Sequence, residues 1–322
     1  MTYNVMVVDN ADPRAVDILE AQDGIRVIVR GKPSRDEILA LIADAHGLIV
    51  RSSTQVDAGL LAGADNLKIV VRAGVGVDNV DLAAATAKGV VVMNVPGGNT
   101  VSTAEYAFGL MLALARYIPQ GHASLQAGRW DRKSYMGVEL RGKTLGLVGF
   151  GRIGREVARR AQAFEMTVIG HDPYLSAADV AGLGVELVAL DTLYERSDFI
   201  SLHAALTDET RGMIDADAIA RMKDGARIIN AARGALIDDA ALAAAIQRGK
   251  IGGAALDVYA TEPPPGDHPL IGLPGVIHTP HLAANTTDAQ VIVAEEAARQ
   301  IANALLRGDF ANVVNSELLA IQ

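Results

Sequence analysis

The chain has 322 residues, half of them hydrophobic, and this length predicts two domains, because domains usually contain about 100 to 200 residues. A formal net charge of -9 argues against nucleic acid or an anionic membrane surface as the main partner. The absence of cysteine excludes disulfides, thiolate catalysis and cysteine metal sites, and we expect no metal site.

The first half of the chain alternates β-branched runs with amphipathic stretches. The runs that predict strands lie at residues 4–8, 27–29, 48–50, 69–71 and 90–93. Residues 13–20 and 34–42 have the pattern of helices, and Ser34 and Glu37 form a capping-box pair at the second of them. Strands that alternate with helices predict a parallel sheet covered on both faces, so this half is an α/β domain in its own right.

The middle of the chain combines a turn, a long helix and a polar stretch. Residues 96–99 predict a break, and residues 100–116 predict a helix with Ser102 and Glu105 placed for capping. The apolar run in this helix is too short to span a bilayer, and no secretory signal is visible at the amino terminus. We therefore expect a soluble, cytoplasmic protein, in which residues 126–143 form a polar linker within a dimerisation arm of residues 100–143.

A dinucleotide-binding fingerprint follows, in the run Gly149-Phe150-Gly151-Arg152-Ile153-Gly154. Residues 145–148 predict a buried strand leading into it, and residues 155–164 predict the next helix. In this motif the first glycine makes a tight turn, the second lets a pyrophosphate approach the backbone, and the third lets helix pack on strand. The amides and positive dipole end of the helix then hold the diphosphate.

Asp172 ends the second strand of this unit, at the place where a carboxylate accepts hydrogen bonds from the adenosine ribose. No lysine or arginine lies between Asp172 and Glu186, so a 2′-phosphate would meet a negative charge without a compensating cation. NAD is therefore favoured over NADP. The alternative is an ordinary glycine turn with Asp172 as a helix cap.

Three ionisable side chains follow strands predicted in the second half. These strands lie at residues 167–171, 199–203, 227–230, 253–258 and 276–279. Arg233, Glu262 and His281 come after the last three of them. The carboxyl ends of parallel strands open on one crevice, so the three side chains can converge beside the nicotinamide.

Their chemistry suits oxidation of a secondary alcohol next to a carboxylate. His281 would take the hydroxyl proton while hydride leaves for the nicotinamide. Glu262 would stabilise the imidazolium and fix the ring tautomer, and Arg233 offers a planar donor fork for a carboxylate. Alternatives stay open: Arg233 could cap a helix or pair with Asp238 or Asp239, Glu262 could be a solvated loop acid, and His281 could be structural.

Residues 230–234, 256–264 and 280–284 resemble the signatures of the D-isomer-specific 2-hydroxyacid dehydrogenases. The resemblance to this family extends over essentially the whole chain. The resemblance implies an α/β fold of two doubly wound parallel-sheet domains with an interdomain cleft. Residues 1–97 and 288–322 would form a flavodoxin-like substrate domain, and residues 98–287 a Rossmann NAD-binding domain.

The same resemblance implies roles for single residues. Arg233 would bind substrate, His281 would be the acid/base and Glu262 would tune it. Asp257 would contact the nicotinamide amide, and the backbone of Ala231 and Ala232 would contact the cofactor.

Within the family, residues 51–54, 72–81 and 128–133 are similar to members that oxidise D-3-phosphoglycerate to 3-phosphohydroxypyruvate, at the start of phosphorylated L-serine synthesis. Arg51 and Arg72 each follow a first-domain strand, so both can face the cleft, where a phosphate needs more than one cation. The alternative is that they are surface residues paired with acids such as Asp57 or Asp78.

The loop Gly74-Val75-Gly76 can present backbone NH groups to the substrate carboxylate. Two departures from the family bear on affinity and substrate preference. Ala204-Ala205 replaces the usual Thr-Pro, and Ala283-Ala284-Asn285 replaces the usual Gly-Ala-Ser.

Two other functions fit the same scaffold. A hydroxypyruvate or glyoxylate reductase would use it without a phosphate pocket, and an NADH-sensing corepressor would keep the same residues without turnover. The family forms dimers through the cofactor domain, so a homodimer or dimer-based tetramer is expected, in which Arg132 could reach a neighbour's active site. Longer relatives append a serine-binding regulatory domain, and with the chain ending at Gln322 we expect no serine feedback by that route.

Overall fold

The computed structural model describes residues 2–321. Its strands are β1 (Tyr3–Val7), β2 (Ile25–Val29), β3 (Gly47–Val50), β4 (Ile69–Arg72), β5 (Val91–Asn94), β6 (Thr144–Val148), β7 (Thr167–His171), β8 (Glu186–Leu187), β9 (Phe199–Leu202), β10 (Ala226–Asn230), β11 (Ile251–Leu256) and β12 (Val276–His278).

The α-helices alternate with these strands. They are α1 (Arg14–Glu20), α2 (Arg35–Ile42), α3 (Ala58–Ala62), α4 (Leu82–Ala87), α5 (Thr100–Arg116), α6 (Ile118–Gln126), α7 (Arg152–Ala163), α8 (Leu190–Arg196), α9 (Ala216–Arg221), α10 (Asp239–Gln247) and α11 (Thr287–Arg307).

One compact unit consists of Met1–Asn99 and Asn285–Gln322. Its five strands are all parallel, in the order β2-β1-β3-β4-β5, which is the flavodoxin-like doubly wound order. Helices α1 and α11 pack on one face of the sheet, and α2, α3 and α4 pack on the other. The ends of the predicted first domain, Met1 and Gln322, lie outside the described residues.

The other compact unit is Thr100–Ala284. Its seven strands are all parallel, in the order β12-β11-β10-β9-β6-β7-β8, with α5 and α7 on one face and α8, α9 and α10 on the other. Successive strands extend the sheet to one side of β6 as far as β8, and from β9 onwards they extend it to the other side. In a Rossmann sheet the dinucleotide binds at this switch point, between β6 and β9. The predicted fold class, α/β with two doubly wound parallel sheets, is confirmed.

Two predicted helix starts have different outcomes. At α2 the capping box is present, because the Glu37 amide donates to Ser34 Oγ at 3.3 Å and the Ser34 amide donates to Glu37 Oε2 at 2.7 Å. The cap predicted at Ser102 and Glu105 is wrong, because both residues lie inside α5. Glu105 instead forms an ion pair with Arg160 at 2.9 Å.

No helix in the described part of the chain is long and apolar enough to cross a membrane.

Candidate active site

The glycine loop between β6 and α7 has the geometry that a dinucleotide requires. Gly149 has a φ of 88°, which disfavours a side chain, and a Cβ there would lie 2.7 Å from the Ala204 nitrogen. A Cβ on Gly154 would lie 2.5 Å from the Gly149 carbonyl oxygen. A Cβ on Gly151 would meet no atom of the described residues within 4 Å. The outer glycines therefore serve the fold, and the middle one leaves the backbone open to a ligand.

The helix after the loop begins at Arg152, earlier than the predicted residue 155, because Gly151 in extended backbone is its N-cap. Within residues 2–321, no side chain caps this end of α7. The first amides of a helix lack partners within the helix and carry the positive end of its dipole, so they suit a diphosphate. Arg152 and Ile153, both predicted cofactor contacts, lie in this first turn.

Asp172 follows β7 and is tied to the glycine loop. Its Oδ2 accepts a hydrogen bond from the Phe150 amide at 2.9 Å, and its Oδ1 accepts one from the Tyr174 amide at 3.0 Å. An ionised carboxylate has about four acceptor positions, so both oxygens retain capacity for ribose hydroxyls. The next helical turn is capped by Ser176, so Asp172 is not a helix cap. Loop, helix start and carboxylate together fit NAD.

The three catalytic candidates follow neighbouring strands, because β10, β11 and β12 are adjacent in the sheet. Arg233 follows β10, Glu262 follows β11 and His281 follows β12. The first two loops touch through their backbones, since a Cβ on Gly234 would lie 2.0 Å from the Tyr259 carbonyl carbon. The topology therefore places the three residues at the same edge of the sheet.

Glu262 and His281 form a hydrogen-bonded pair. His281 Nδ1 lies 2.7 Å from Glu262 Oε2, and Glu262 Oε1 accepts a hydrogen bond from the Tyr259 amide at 3.0 Å. With its proton on Nδ1 facing the carboxylate, the neutral ring has Nε2 as its basic atom. The His281 side chain is 51% exposed, so a substrate can reach it.

A buried asparagine shapes the loop that carries Arg233. Asn230 has no exposed surface; its Nδ2 donates to the Arg233 carbonyl at 2.9 Å, and its Oδ1 accepts from the Ala232 amide at 3.0 Å. Arg233 Nη1 donates to the Ala232 carbonyl at 2.7 Å. Asn230 was not predicted from the sequence, although a polar residue ending an apolar strand was a usable signal. The predicted cofactor contacts of Ala231 and Ala232 stay predictions.

Asp257 anchors the loop that carries His281. It has no exposed surface, and its carboxylate accepts hydrogen bonds from the amides of Leu282 at 2.8 Å and Ala283 at 2.9 Å. The His281 amide donates to the Asp257 carbonyl at 2.8 Å. The predicted contact between Asp257 and the nicotinamide amide stays a prediction.

A cavity of about 410 Å³ borders this pair, with Glu262 and His281 among its lining residues. Two neighbouring groups are unsuited to be the base. Burial raises the pKa of Tyr259 to about 12, so its hydroxyl stays protonated. Burial also lowers the pKa of His278, whose Nδ1 lies 3.1 Å from the Tyr259 hydroxyl.

In the other unit, Arg51 follows β3, and its loop is held by a residue that was not predicted from the sequence. Asp9, with a left-handed φ of 62°, accepts hydrogen bonds from the Arg51 amide at 2.8 Å and the Thr54 hydroxyl at 2.7 Å. Burial lowers the pKa of the Arg51 guanidinium, and Asp9 opposes this change. The suggested surface partner Asp57 pairs with Arg35 instead, at 2.5 Å.

Arg72 ends β4, and the glycine loop after it is partly bonded within itself. The Gly74 amide donates to the Arg72 carbonyl at 2.8 Å, and Asn94 Nδ2 donates to the Val75 carbonyl at 2.6 Å. The Gly74 amide is therefore already bonded within the loop. The amides of Val75 and Gly76 stay predicted donors to a substrate carboxylate.

Residues 108–283 match the family model of the D-isomer specific 2-hydroxyacid dehydrogenase, NAD binding domain. The match contains the glycine loop, Asp172 and all three catalytic candidates. The chain belongs to the D-isomer-specific 2-hydroxyacid dehydrogenase family. The predicted family and the predicted cofactor, NAD, are both confirmed.

Several relatives in this family are similar over nearly the whole chain. The D-3-phosphoglycerate dehydrogenase of Archaeoglobus fulgidus is 48% identical over 311 residues, which cover 97% of this chain and 59% of the relative. The chain thus spans 59% of the length of this curated relative. A crystal structure of a protein from Thermus thermophilus has a TM-score of 0.86 at 37% identity, covering 97% of this chain and 99% of that one. A glyoxylate reductase from Paecilomyes thermophila has a TM-score of 0.86 at 30% identity, covering 98% and 100%.

Proposed function

We propose that the chain catalyses the NAD-dependent oxidation of D-3-phosphoglycerate to 3-phosphohydroxypyruvate, the first step of phosphorylated L-serine biosynthesis. The hydrogen-bonded pair of His281 and Glu262, 2.7 Å apart at the carboxyl edge of the NAD-binding sheet, is the observation that carries a hydroxy-acid dehydrogenase function. The similarity to D-3-phosphoglycerate dehydrogenase, 48% identity over 97% of the chain, supports the choice of substrate.

The proposed mechanism divides three tasks among three side chains. NAD, when bound, supplies the acceptor for the hydride that leaves C2 of the hydroxy acid. His281 Nε2 takes the C2 hydroxyl proton, and the resulting imidazolium donates from Nδ1 to Glu262. Arg233 binds the substrate carboxylate and polarises the reacting oxygen through its planar donor fork. In the reverse direction His281 returns the proton to the carbonyl oxygen.

We further propose that Arg51 and Arg72 bind the phosphate group. Burial of the Arg51 guanidinium supports this assignment, because a partly desolvated cation gains from an anionic partner. The pairing of Asp57 with Arg35 also supports this assignment, because Asp57 was the suggested surface partner of Arg51 and is bound to another arginine. A phosphate dianion is held best by more than one cation, for which Arg72 is the second candidate.

Steady-state kinetics with three substrates test the proposal. NADH formation from D-3-phosphoglycerate is compared with NADH oxidation by hydroxypyruvate and by glyoxylate, in wild type and in Arg51→Ala. We expect Arg51→Ala to lower kcat/KM for D-3-phosphoglycerate by about 30-fold or more, corresponding to about 2 kcal/mol for a lost charge-assisted contact. Reduction of the unphosphorylated acids should change by less than about 3-fold.

A matched control removes an arginine of the same unit that already has a carboxylate partner. Arg35→Ala breaks the exposed pair with Asp57 and should leave all three rates near wild type. Absent turnover of D-3-phosphoglycerate, combined with efficient reduction of hydroxypyruvate regardless of Arg51, would refute the phosphate assignment and favour the reductase. Absent turnover of every acid with intact NADH binding would favour the corepressor.

We propose that the chain acts as a homodimer or dimer-based tetramer in the cytoplasm, with residues 100–143 as the contact arm and Arg132 reaching the neighbour's active site. Exposed apolar side chains support a contact here, since Trp130 is 78% exposed and Met136 is 83% exposed. Sedimentation combined with assay tests the assembly, and a fully active monomer would contradict it. Cell fractionation tests the location.

A further inference from the structure

His281 occupies a left-handed backbone conformation. Its φ is 53°, in a region where residues other than glycine are uncommon, although asparagine, aspartate and histidine are found there more often than other types. Such a conformation persists only when surrounding contacts hold it. The contacts within residues 279–283 therefore determine where the imidazole points.

These contacts converge on Asp257. The amides of Leu282 and Ala283 donate to its two carboxylate oxygens, and the His281 amide donates to its carbonyl. The side-chain hydroxyl of Thr279 is a further hydrogen-bond donor to this carboxylate, with Oγ1 lying 2.6 Å from Asp257 Oδ1. The carboxylate has no exposed surface, so protein donors replace its water.

The Thr279 hydroxyl is itself supported from a helix. Burial raises the pKa of the Tyr106 hydroxyl on α5, and a side-chain hydrogen bond with Thr279 opposes this change. Helix α5 packs against β11 and β12. The result is a chain of polar groups from Tyr106 through Thr279 to Asp257, which ends at the loop of His281. The proposed chemistry of the catalytic side chains uses neither hydroxyl.

We propose that Thr279 is a positioning residue for His281, through the hydrogen bond from its hydroxyl to Asp257. The inference rests on the proposed role of His281 as acid/base. Without this donor, a buried carboxylate loses a hydrogen bond that its two remaining amide donors do not replace, and the loop relaxes around Asp257. The His281 ring then leaves the orientation that its left-handed backbone imposes, and misplacement of a reacting group by about 1 Å can cost about 100-fold in rate.

The test compares two substitutions, one that keeps the branched shape of threonine and one that keeps its hydroxyl while losing its methyl group. Thr279→Val keeps the shape but removes the hydroxyl, and Thr279→Ser keeps the hydroxyl. We expect Thr279→Val to lower kcat by about 10- to 100-fold with the Kd for NADH within about 2-fold, and Thr279→Ser to stay within about 3-fold of wild type. Equal losses in both variants, or a wild-type kcat in Thr279→Val, would overturn the proposal.

A double-substitution cycle separates a role through His281 from a general structural role. In a His281→Asn background, measured by single turnover, Thr279→Val should cause less than about a 2-fold further loss. The same 10- to 100-fold loss in that background, or a parallel loss of NADH binding, would overturn the proposal. If Thr279→Val does not fold, Tyr106→Phe replaces it and should lower kcat by about 2- to 5-fold in the wild-type background only.

These assays use whichever 2-oxo acid the wild-type enzyme reduces, so they do not depend on D-3-phosphoglycerate. If D-3-phosphoglycerate is not turned over but glyoxylate is, the substrate proposal fails and the Thr279 comparison still gives a result.

Discussion

Replacement of Gly151 by alanine should abolish tight NADH binding without unfolding the protein. The backbone φ of Gly151 is -76°, which alanine adopts freely, and the added Cβ would meet no atom of residues 2–321 within 4 Å. Alanine is a poorer N-cap than glycine but also restricts the unfolded chain, and these effects of up to about 1 kcal/mol nearly cancel. The new methyl group instead occupies the space through which a pyrophosphate approaches the start of α7. We expect the Kd for NADH to rise at least about 10-fold, or about 1.4 kcal/mol.

Gly154→Ala is the matched substitution, because its Cβ would lie 2.5 Å from the Gly149 carbonyl oxygen. Overpacking of this kind costs about 1–3 kcal/mol of unfolding free energy, so this variant should lose stability first. Urea denaturation followed by circular dichroism measures stability, and NADH fluorescence titration measures binding. If Gly151→Ala binds NADH as wild type does, or loses stability as Gly154→Ala does, the open backbone at Gly151 is not the pyrophosphate site.

Three further predictions concern single side chains. His281→Asn should lower kcat by about 10²- to 10⁴-fold while the Kd for NADH stays within about 2-fold, and parallel loss of both would mark a structural histidine. Asn230→Ala should cost about 1–3 kcal/mol of unfolding free energy in urea denaturation, because it removes the buried side chain whose hydrogen bonds hold the Ala232 amide and the Arg233 carbonyl; a loss below about 0.5 kcal/mol would contradict this. Burial lowers the pKa of His203 to about 4, so protonation favours the unfolded chain and stability should fall as pH drops from about 6.5 towards 4, by at most about 3 kcal/mol. In His203→Gln the difference in unfolding free energy between about pH 7.5 and about pH 5 should shrink, and an unchanged difference would refute this assignment.

The strands, and the edge of the sheet that carries the catalytic candidates, were predictable from the sequence because their signals are local. Apolar runs bounded by turns predicted β1, β3 and β4 nearly to the residue, and parallel-sheet topology then predicted that Arg233, Glu262 and His281 share one edge. Short elements were not predicted from the sequence. The strand β8 has two residues at the edge of the sheet, and α3 has five, so neither has a full period of apolar residues to detect.

The supporting residues were harder to predict than the catalytic ones, because their partners are distant in sequence. Asp9 holds the loop at Arg51 and Thr54, and Asp257 holds residues 282 and 283, across separations that no spacing rule covers. The start of α7 at Arg152 was also misjudged. Glycines in the loop lower helix propensity, but Gly151 acts there as an N-cap.

The rate of NADH formation by the wild-type chain with D-3-phosphoglycerate and NAD, followed by absorbance, tests the central proposal most directly. We expect turnover, with kcat/KM above that for unphosphorylated D-2-hydroxy acids. No NADH formation from D-3-phosphoglycerate, in a preparation that binds NADH and reduces glyoxylate, would contradict the proposal.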